Sequence, residues 1–203
     1  MGVYAGRSGR PGSEPPTFCM HTFKLPFAVW RPLFQRGAHV VVPSVRHVPV
    51  QCVDPKIKCR SRMHWWLAEC EAKVADREAV PICLDLDGNL TESSGANFIL
   101  VRGGQVLSPQ PRSILWGISL DTVAGLCKQL GLSFATCDLQ LYHMVNADEA
   151  MLCSTPYCLA PITRVNGQPI GSGQPGPIFK QLIAAWSERV GVDIVAQIIN
   201  SGG

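Results

Sequence analysis

The stretch Leu90-Thr91-Glu92-Ser93-Ser94-Gly95-Ala96-Asn97-Phe98 combines one acid, a run of small residues and an amide that leads into an apolar segment. The apolar runs 79–84 and 96–101 are typical of strands, which places Glu92 between two strands. The small residues that follow Glu92 would let a flat ring approach the backbone closely. We therefore expect a chemical site around this acid.

Amphipathic helices are predicted before and after this stretch. Over residues 58–73 the apolar residues recur every three or four positions, which is the period of a helix with one buried face. Lys58 would lie at or just before the first turn of that helix. A second helix is predicted over 119–130, with its first residue as N-cap and Gly131 where a helix usually stops. A third helix is predicted over 177–190.

Strand patterns fill most of the remaining chain. β-Branched and apolar residues predict strands over residues 38–50, 79–84, 96–101, 133–139, 150–153 and 159–165. Asp87-Gly88, Gly103-Gly104 and Asn166-Gly167 are turn signals between them. Because strands and helices are interspersed without a strict βαβ repeat or a glycine-rich fingerprint, the sequence favours an α+β fold over a doubly wound sheet.

The first residues differ in composition from the rest of the chain. Residues 1–17 are rich in Gly, Pro, Ser and Arg, and such a segment cannot bury enough apolar area to offset the entropy of ordering, so we predict a flexible arm. The next residues mix aromatic side chains with prolines. We therefore divide the 203-residue chain into residues 1–37, an arm with the tail of something larger, and residues 38–203, the main domain.

The overall charge and the cysteines limit the classes of function. The formal charge is +3 and the Lys and Arg residues are scattered, so no basic stripe for nucleic acid stands out. No apolar run reaches the ~18 residues that a membrane helix needs. Nine cysteines at irregular spacings, without a C-x-x-C pair or a signal peptide, favour reduced thiols in a cytoplasm, and no metal site is predicted.

Lys58 and Glu92 have the chemistry that pyridoxal phosphate requires of its partners. A lysine forms a Schiff base with an aldehyde only when its amine is neutral, which neighbouring cations favour, and Arg60 and Arg62 are close to Lys58 in sequence. The cofactor works as an electron sink when its ring nitrogen is protonated, and a carboxylate such as Glu92 keeps that proton in place. The alternative is that both side chains are ordinary solvated charges.

Two other segments could hold the cofactor phosphate. Gly117-Ile118-Ser119 stands at a predicted helix start, where backbone N–H groups and the helix dipole favour an anion. Ser154-Thr155 follows a predicted strand and offers two hydroxyl groups. Ordinary capping and turn chemistry is the alternative for each.

These residues resemble a known family, the fold-type IV or class IV aminotransferases, which include branched-chain and D-amino acid aminotransferases and aminodeoxychorismate lyase. The resemblance covers roughly residues 40–190. The Schiff-base lysine of the family stands before a helix, as Lys58 does, and its ring-nitrogen glutamate opens the pattern Glu-x-Ser-x-x-Asn, which Glu92 and Asn97 match. The 34 positions between Lys58 and Glu92 agree with the spacing in the family, and Gly117-Ile118 and Asp148-Glu149 accompany them.

The resemblance implies a large C-terminal cofactor domain of the fold-type IV aminotransferase-like fold, with pyridoxal 5'-phosphate as cofactor. Lys58 would be the catalytic residue, Glu92 would hold the ring nitrogen, and Leu115 would pack against the ring. The other cofactor-binding residues that it implies are Asn97, Gly117, Ile118, Ser119, Ser154, Thr155 and, ahead of the lysine, Arg46.

The sequence also departs from the family. Residues that differ from the usual ones are Ser108 and Ser119 in place of Thr, Leu120 in place of Arg, Ser154 in place of Gly, and Met63 in place of a tyrosine near the cofactor hydroxyl. The largest departure is length, because members carry a smaller N-terminal domain before the strand at Val40. That domain supplies a phosphate-binding arginine and much of the substrate pocket, so residues 1–37 would be its remnant.

Three functions are compatible with the resemblance. The first is transamination of an amino acid, possibly branched-chain, with a 2-oxo acid, in which Lys58 moves the α-proton. The second is aminodeoxychorismate lyase activity, which would use the same lysine and glutamate. The third is a truncated, non-catalytic remnant of the fold. The family further implies a homodimer that acts on amino acids and 2-oxo acids. The charge, the apolar run lengths and the cysteines predict a cytoplasmic protein without nucleic acid or membrane as partner.

Overall fold

The computed structural model describes residues 2–4 and 17–201. The predicted arm over residues 1–17 therefore lies almost entirely outside the described residues. At its two ends, strands β1 (Gly2–Tyr4) and β2 (Thr17–Cys19) pair antiparallel. The division of the chain at residue 38 stays a prediction.

Helices and strands are mixed along the rest of the described chain. The helices are α1 (Phe27–Arg36), α2 (Met63–Ala75), α3 (Ile118–Gln129), α4 (Leu141–Val145), α5 (Pro177–Val190) and α6 (Ile194–Asn200). The strands after β2 are β3 (Ala38–Val41), β4 (Val80–Leu84), β5 (Leu90–Ser93), β6 (Asn97–Arg102), β7 (Gln105–Pro109), β8 (Phe134–Cys137), β9 (Glu149–Ser154), β10 (Cys158–Val165) and β11 (Gln168–Pro169). The predicted mixture of helices and strands is confirmed.

Nine strands form one mixed, curled sheet. Its hydrogen-bonded path runs β5-β4-β3-β10-β9-β6-β7-β8, and β11 pairs with β10. β3 is parallel to β4 and β10, and β7 is parallel to β8, whereas the other pairs are antiparallel. The sheet curls until its first strand, β5, lies beside β6, where the N–H of Ser93 donates to the carbonyl of Ala96 at 2.8 Å. This curl brings the ends of strands that are distant in sequence to one place.

The core lies between the central strands and the helices that cover them. α5 packs on β9 and β10, α3 packs on β9, and α1 packs on β10 and α6. Side chains from these elements that are fully buried include Phe98, Ile99, Leu100, Leu120, Leu126, Met151 and Leu152. α2 packs on β3 and β4, and there Ala72, Val41 and Ala79 form a small cluster apart from the main core. The first turns of α2 and α3 both border the cavity described below.

Helix α2 begins at Met63, so the predicted start at Lys58 is wrong. The chain before it forms turns instead, in which the Asp54 side chain accepts a hydrogen bond from the N–H of Lys56 (2.9 Å) and the Asp54 carbonyl accepts one from the N–H of Ile57 (3.0 Å). Short acidic side chains compete in this way with helical hydrogen bonds. Lys58 therefore lies in a loop that precedes the helix.

Glu92 lies within strand β5 and not between two strands as predicted. The segment 90–93 was missed because it is short and polar, yet it pairs with β4 in a hairpin, where Leu90 is opposite Leu84 and Ser93 is opposite Ile82. The strand places the Glu92 side chain on a defined face of the sheet.

Helix α3 begins one residue earlier than predicted, and its N-cap is Gly117, not Ser119. The N–H of Asp121 donates to the carbonyl of Gly117 at 3.0 Å, and this bond makes Ile118 the first helical residue. Helix α5 has the predicted bounds. Helix α1 was missed because Pro32 lies inside it, and a proline usually interrupts a helix.

Candidate active site

A cavity of about 1170 Å³ opens where the curled sheet meets the first turns of α2 and α3. The segments that line it include the loop 57–62, the end of β5 with the start of β6, the start of α3, and the end of β9. Nine of the ten predicted site residues border this one cavity: Lys58, Glu92, Asn97, Leu115, Gly117, Ile118, Ser119, Ser154 and Thr155. The tertiary structure therefore brings together residues that the sequence spreads over half of the chain.

The Glu92 carboxylate is held by two donors, and a histidine ring lies beside it. The N–H of Leu115 faces both carboxylate oxygens at 3.3 and 3.2 Å, and the side-chain amide of Asn97 donates to Oε2 at 3.1 Å. His47 Nε2 lies 3.4 Å from Oε1. The Glu92 side chain is only 12% exposed. These contacts fix the Glu92 side chain in the cavity wall.

Asn97 connects the acid to the start of α3. Its Nδ2 also donates to the carbonyl of Leu115 at 2.8 Å, and its Oδ1 accepts the N–H of Gly117 at 3.2 Å. A Cβ at residue 117 would lie 2.5 Å from that Oδ1, so the close approach requires glycine. Asn97 therefore fixes both the acid and the helix start relative to β6.

The N-terminus of α3 presents backbone donors to the cavity. The first N–H groups of a helix have no acceptor within the helix, and the N-cap residue of α3 makes no side-chain hydrogen bond to them. Ile118 and Ser119 border the cavity at this point. Such donors, with the helix dipole, favour a phosphate group.

The two hydroxyl residues at the end of β9 differ from each other. Ser154 is nearly buried, and its hydroxyl donates to the carbonyl of Gly95 at 2.7 Å. That proton is therefore already used to connect β9 with the small-residue run. Thr155 is exposed in the cavity wall and lies in the turn after the strand. Of the two, Thr155 has the hydroxyl proton available for a ligand.

Lys58 lies in the cavity wall with an exposed side chain. Among the described residues, no hydrogen bond or ion pair involves its amine, in contrast to Lys56, whose Nζ lies 3.6 Å from Asp54 Oδ1. The loop that carries Lys58 is connected to the opposite wall by Arg62, whose guanidinium donates to the carbonyl of Ser94. The lysine amine is thus free to reach a group bound in the cavity.

Arg46 is not among the residues that line the cavity, and its assignment as a cofactor-binding residue stays a prediction. Its guanidinium donates to the carbonyl of Ser44 at 3.1 Å, and the residue is exposed. The chain is extended here, with a parallel bridge between Arg46 and Leu84, and successive side chains of an extended chain point to opposite sides. The neighbouring His47 therefore takes the cavity side.

His47 is the residue that sequence reasoning missed. Its ring packs with those of His64 and Trp65, at centroid distances of 5.7 and 5.3 Å. Burial, then the nearby His47 and Arg62, lowers the pKa of His64, whose Nε2 is buried without a partner among the described residues. The available signal was the position of His47 beside an assigned residue in an extended segment. Sequence alone does not tell which of two neighbours faces a site.

The residues present fit pyridoxal phosphate. They offer a buried carboxylate for the ring nitrogen, uncapped helix donors for the phosphate and an unpaired lysine amine for the aldehyde. Glu92, the α3 start and Lys58 supply these three groups around one cavity. Within residues 20–201, no group of three or more His, Cys, Asp or Glu side chains is arranged to hold a metal ion. In the part of the chain that the structure describes, no helix is long and apolar enough to cross a bilayer.

Comparison with protein families and sequences gives matches over most of the chain. Residues 5–165 match the family model described as amino-transferase class IV. A protein of Methanocaldococcus jannaschii, provisionally named a branched-chain-amino-acid aminotransferase, is 29% identical over 178 residues, which are 87% of this chain and 60% of that protein. The D-alanine aminotransferase of Bacillus licheniformis is 32% identical over 119 residues, 58% of this chain and 42% of its own.

Solved structures have the same curled fold. The branched-chain amino acid aminotransferase of T.th., complexed with N-(5'-phosphopyridoxyl)-L-glutamate, superposes with a TM-score of 0.71 at 27% identity and covers 76% of this chain. The branched-chain amino acid aminotransferase of Thermobaculum terrenum, in its PLP-form, superposes with a TM-score of 0.72 at 25% identity and covers 83% of this chain. This chain covers 53% of the first enzyme and 56% of the second, so it spans about half of their length.

Proposed function

Because this chain belongs to the class IV amino-transferase family, we propose that it binds pyridoxal 5'-phosphate and transfers an amino group between an amino acid and a 2-oxo acid. The observation that carries the proposal is the single cavity in which Lys58, Glu92 and the N-terminus of α3 meet. A cavity of this size can hold a cofactor together with a small substrate.

Each part of the cavity has a distinct role in this proposal. When bound, pyridoxal phosphate supplies an electron sink for the charge that develops at the substrate α-carbon. The amine of Lys58 holds the cofactor and then moves the α-proton as general acid and base. Glu92, fixed by Asn97 and Leu115, accepts the ring N–H, and the donors of α3 orient the phosphate. Burial of Glu92 strengthens its interaction with a cation.

The proposed substrates are amino acids with apolar side chains, including branched-chain ones. Exposed apolar side chains of Phe23, Ile57, Met63 and Leu67 surround the cavity opening, and they could contact such a side chain. The named relatives, which act on branched-chain amino acids or D-alanine, support the same class. Lyase activity on aminodeoxychorismate would need the same lysine and glutamate, and product analysis with each substrate separates the two reactions.

A homodimer in the cytoplasm completes the proposal. Its support is the exposed apolar side chains of α2, of which Trp66 is 59% and Val74 is 89% exposed, because exposed patches of this kind mark interaction sites. The eight cysteines whose side chains are described are all free thiols, which suits a reducing compartment. Light scattering of the purified protein tests the dimer directly.

Reductive trapping tests the cofactor function. The protein is mixed with pyridoxal 5'-phosphate, reduced with borohydride and digested, and the modified peptide is identified by mass spectrometry. We expect the label on Lys58 and its complete loss in Lys58→Ala. Lys56→Ala is the matched control, since Lys56 is exposed two positions away but does not border the cavity. A folded protein without label on Lys58, or with equal label on Lys56, would contradict the proposal.

A further inference from the structure

His47 faces Glu92 from the segment after β3, which pairs with the hairpin partner β4. Its backbone is held in place because its N–H donates to the carbonyl of Leu84 at 2.9 Å. The side chain is 9% exposed and its Nε2 lies 3.4 Å from Glu92 Oε1. The two groups therefore form a buried pair that is built by β4, β5 and the segment after β3.

The contact of the other ring nitrogen, Nδ1, determines which protons the His47 ring carries. Nδ1 lies 2.9 Å from the carbonyl oxygen of Val48, and a carbonyl only accepts hydrogen bonds, so Nδ1 carries a proton. A neutral ring would then leave Nε2 as an acceptor 3.4 Å from a carboxylate oxygen, which is an acceptor as well. The contact with Glu92 is favourable only when Nε2 also carries a proton.

The surroundings of the pair favour one cation at this position. The groups that face His47 from α2 are His64 and Trp65, and Arg62 lies at the start of the same helix. The lowered pKa of His64 keeps that ring neutral, so it adds no second charge beside His47. The remaining donors to Glu92, from Asn97 and Leu115, are neutral.

We propose that His47 is a positioning residue: with both ring nitrogens protonated, it pairs with Glu92 across 3.4 Å and thereby keeps that carboxylate oriented toward Leu115. His47 acts through Glu92, so any effect of His47 on catalysis rests on the proposed function. The pair itself is a property of the cofactor-free protein.

The protonation of His47 is measured in the cofactor-free protein by NMR with 15N-labelled histidine. The resonances are assigned by their disappearance in His47→Gln. At pH 7 we expect both ring nitrogens of His47 to carry protons, and we expect Nε2 to lose its proton in Glu92→Gln, where the side-chain amide can donate to it. An unprotonated Nε2 in the unmodified protein, or the same state in both proteins, would overturn the proposal. Since no cofactor is present, this result is independent of the labelling of Lys58.

Orientation of Glu92 is measured through the amide proton of Leu115, which a carboxylate acceptor shifts downfield. We expect the shift to be lost in His47→Leu and largely retained in His47→Gln, because the glutamine amide can donate a hydrogen bond to Glu92. His143→Gln is the control, since His143 caps α4 and does not border the cavity. Equal Leu115 shifts in the leucine and glutamine variants would overturn the proposal. If His47→Leu does not fold, the glutamine variant and the protonation measurement still decide it.

Discussion

Two buried histidines of this protein each face a carboxylate, one in the scaffold and one in the cavity. We call the first group the hairpin corner; it consists of His39, Asp76, Arg164 and Gly167. His39 and His47 are both 7% exposed. His39 Nδ1 lies 2.8 Å from Asp76 Oδ2, and His47 Nε2 lies 3.4 Å from Glu92 Oε1. The partner of the other ring nitrogen makes the difference between them.

At the hairpin corner that partner is a donor. The N–H of Gly167 donates to His39 Nε2 at 2.9 Å, so this nitrogen has no proton and Nδ1 donates to Asp76. A neutral ring thereby satisfies both neighbours and connects β3 with the end of α2 and the β10–β11 turn. At His47 the corresponding partner is a carbonyl, which demands a second ring proton. A histidine beside a carboxylate is thus neutral at the hairpin corner and, in our proposal, charged in the cavity.

Glu92→Gln tests the cavity acid and should have the largest effect. An amide does not stabilise a ring cation, so we expect amino transfer to fall by about 100-fold or more. The free energy of unfolding should change by less than about 1 kcal/mol, because the side chain still reaches Leu115 and Asn97. Activity with added cofactor and urea denaturation measure the two effects. Retained activity in this variant would show that Glu92 is not the ring partner.

Asp76→Asn tests the acid of the hairpin corner and should alter stability instead of chemistry. The hydrogen bond from His39, followed by that from the Glu78 N–H, lowers the pKa of Asp76. A group whose pKa is lower in the folded than in the unfolded protein stabilises the fold at pH values above its unfolded pKa. This stability is lost as the pH falls through the pKa of the folded state. We expect a loss of about 1–3 kcal/mol at pH 7 in urea denaturation.

The pH dependence provides the control for this variant. The difference in unfolding free energy between the two proteins should shrink as the pH falls below about 4, the ordinary pKa of an aspartate. Cofactor binding by Asp76→Asn should match that of the unmodified protein. A difference that stays constant down to a pH of about 3 would contradict the assigned role of the carboxylate.

Gly117→Ala tests, on the cavity side, how Asn97 holds the start of α3. The added Cβ would displace the Asn97 side chain, whose Oδ1 would be 2.5 Å away. Loss of that one hydrogen bond should weaken binding of pyridoxal 5'-phosphate by about tenfold, measured by its absorbance on titration. Gly125→Ala in the same helix is the matched control, because its Cβ would approach no atom closer than 4.0 Å. Equal affinities of the two variants would contradict the bridging role of Asn97.

Gly167→Ala tests the turn at the hairpin corner and should have the smallest effect. Gly167 has φ +80°, in the left-handed region that side chains disfavour, so we expect a loss of about 1 kcal/mol in thermal or urea unfolding. Its N–H still reaches His39, and cofactor binding should be unchanged. A loss greater than that of Asp76→Asn would show that the turn, and not the histidine pair, dominates this corner.

Local sequence patterns were sufficient to predict the elements with strong periodicity and the residue types that line the cavity. Helix α5 and the Asn166-Gly167 turn lie where the sequence predicts them, because amphipathic spacing and positive-φ residues act locally. The predictions failed at α1, β5, the start of α2 and the N-cap of α3, they missed β7, α4 and α6, and the strand predicted over 38–50 ends at residue 41. There, packing or a turn hydrogen bond from Asp54 outweighs local preference.

The presence and order of Lys58, Glu92, Asn97 and the α3 start follow from the sequence, since residue type and spacing carry that information. Which way neighbouring side chains face does not follow from it. Successive side chains of an extended chain point to opposite sides, so Arg46 and His47 face different ways. Only the curl of the sheet decides that His47 is the one that faces Glu92. The charge of a histidine depends likewise on whether its second partner donates or accepts, and that partner is supplied by the fold.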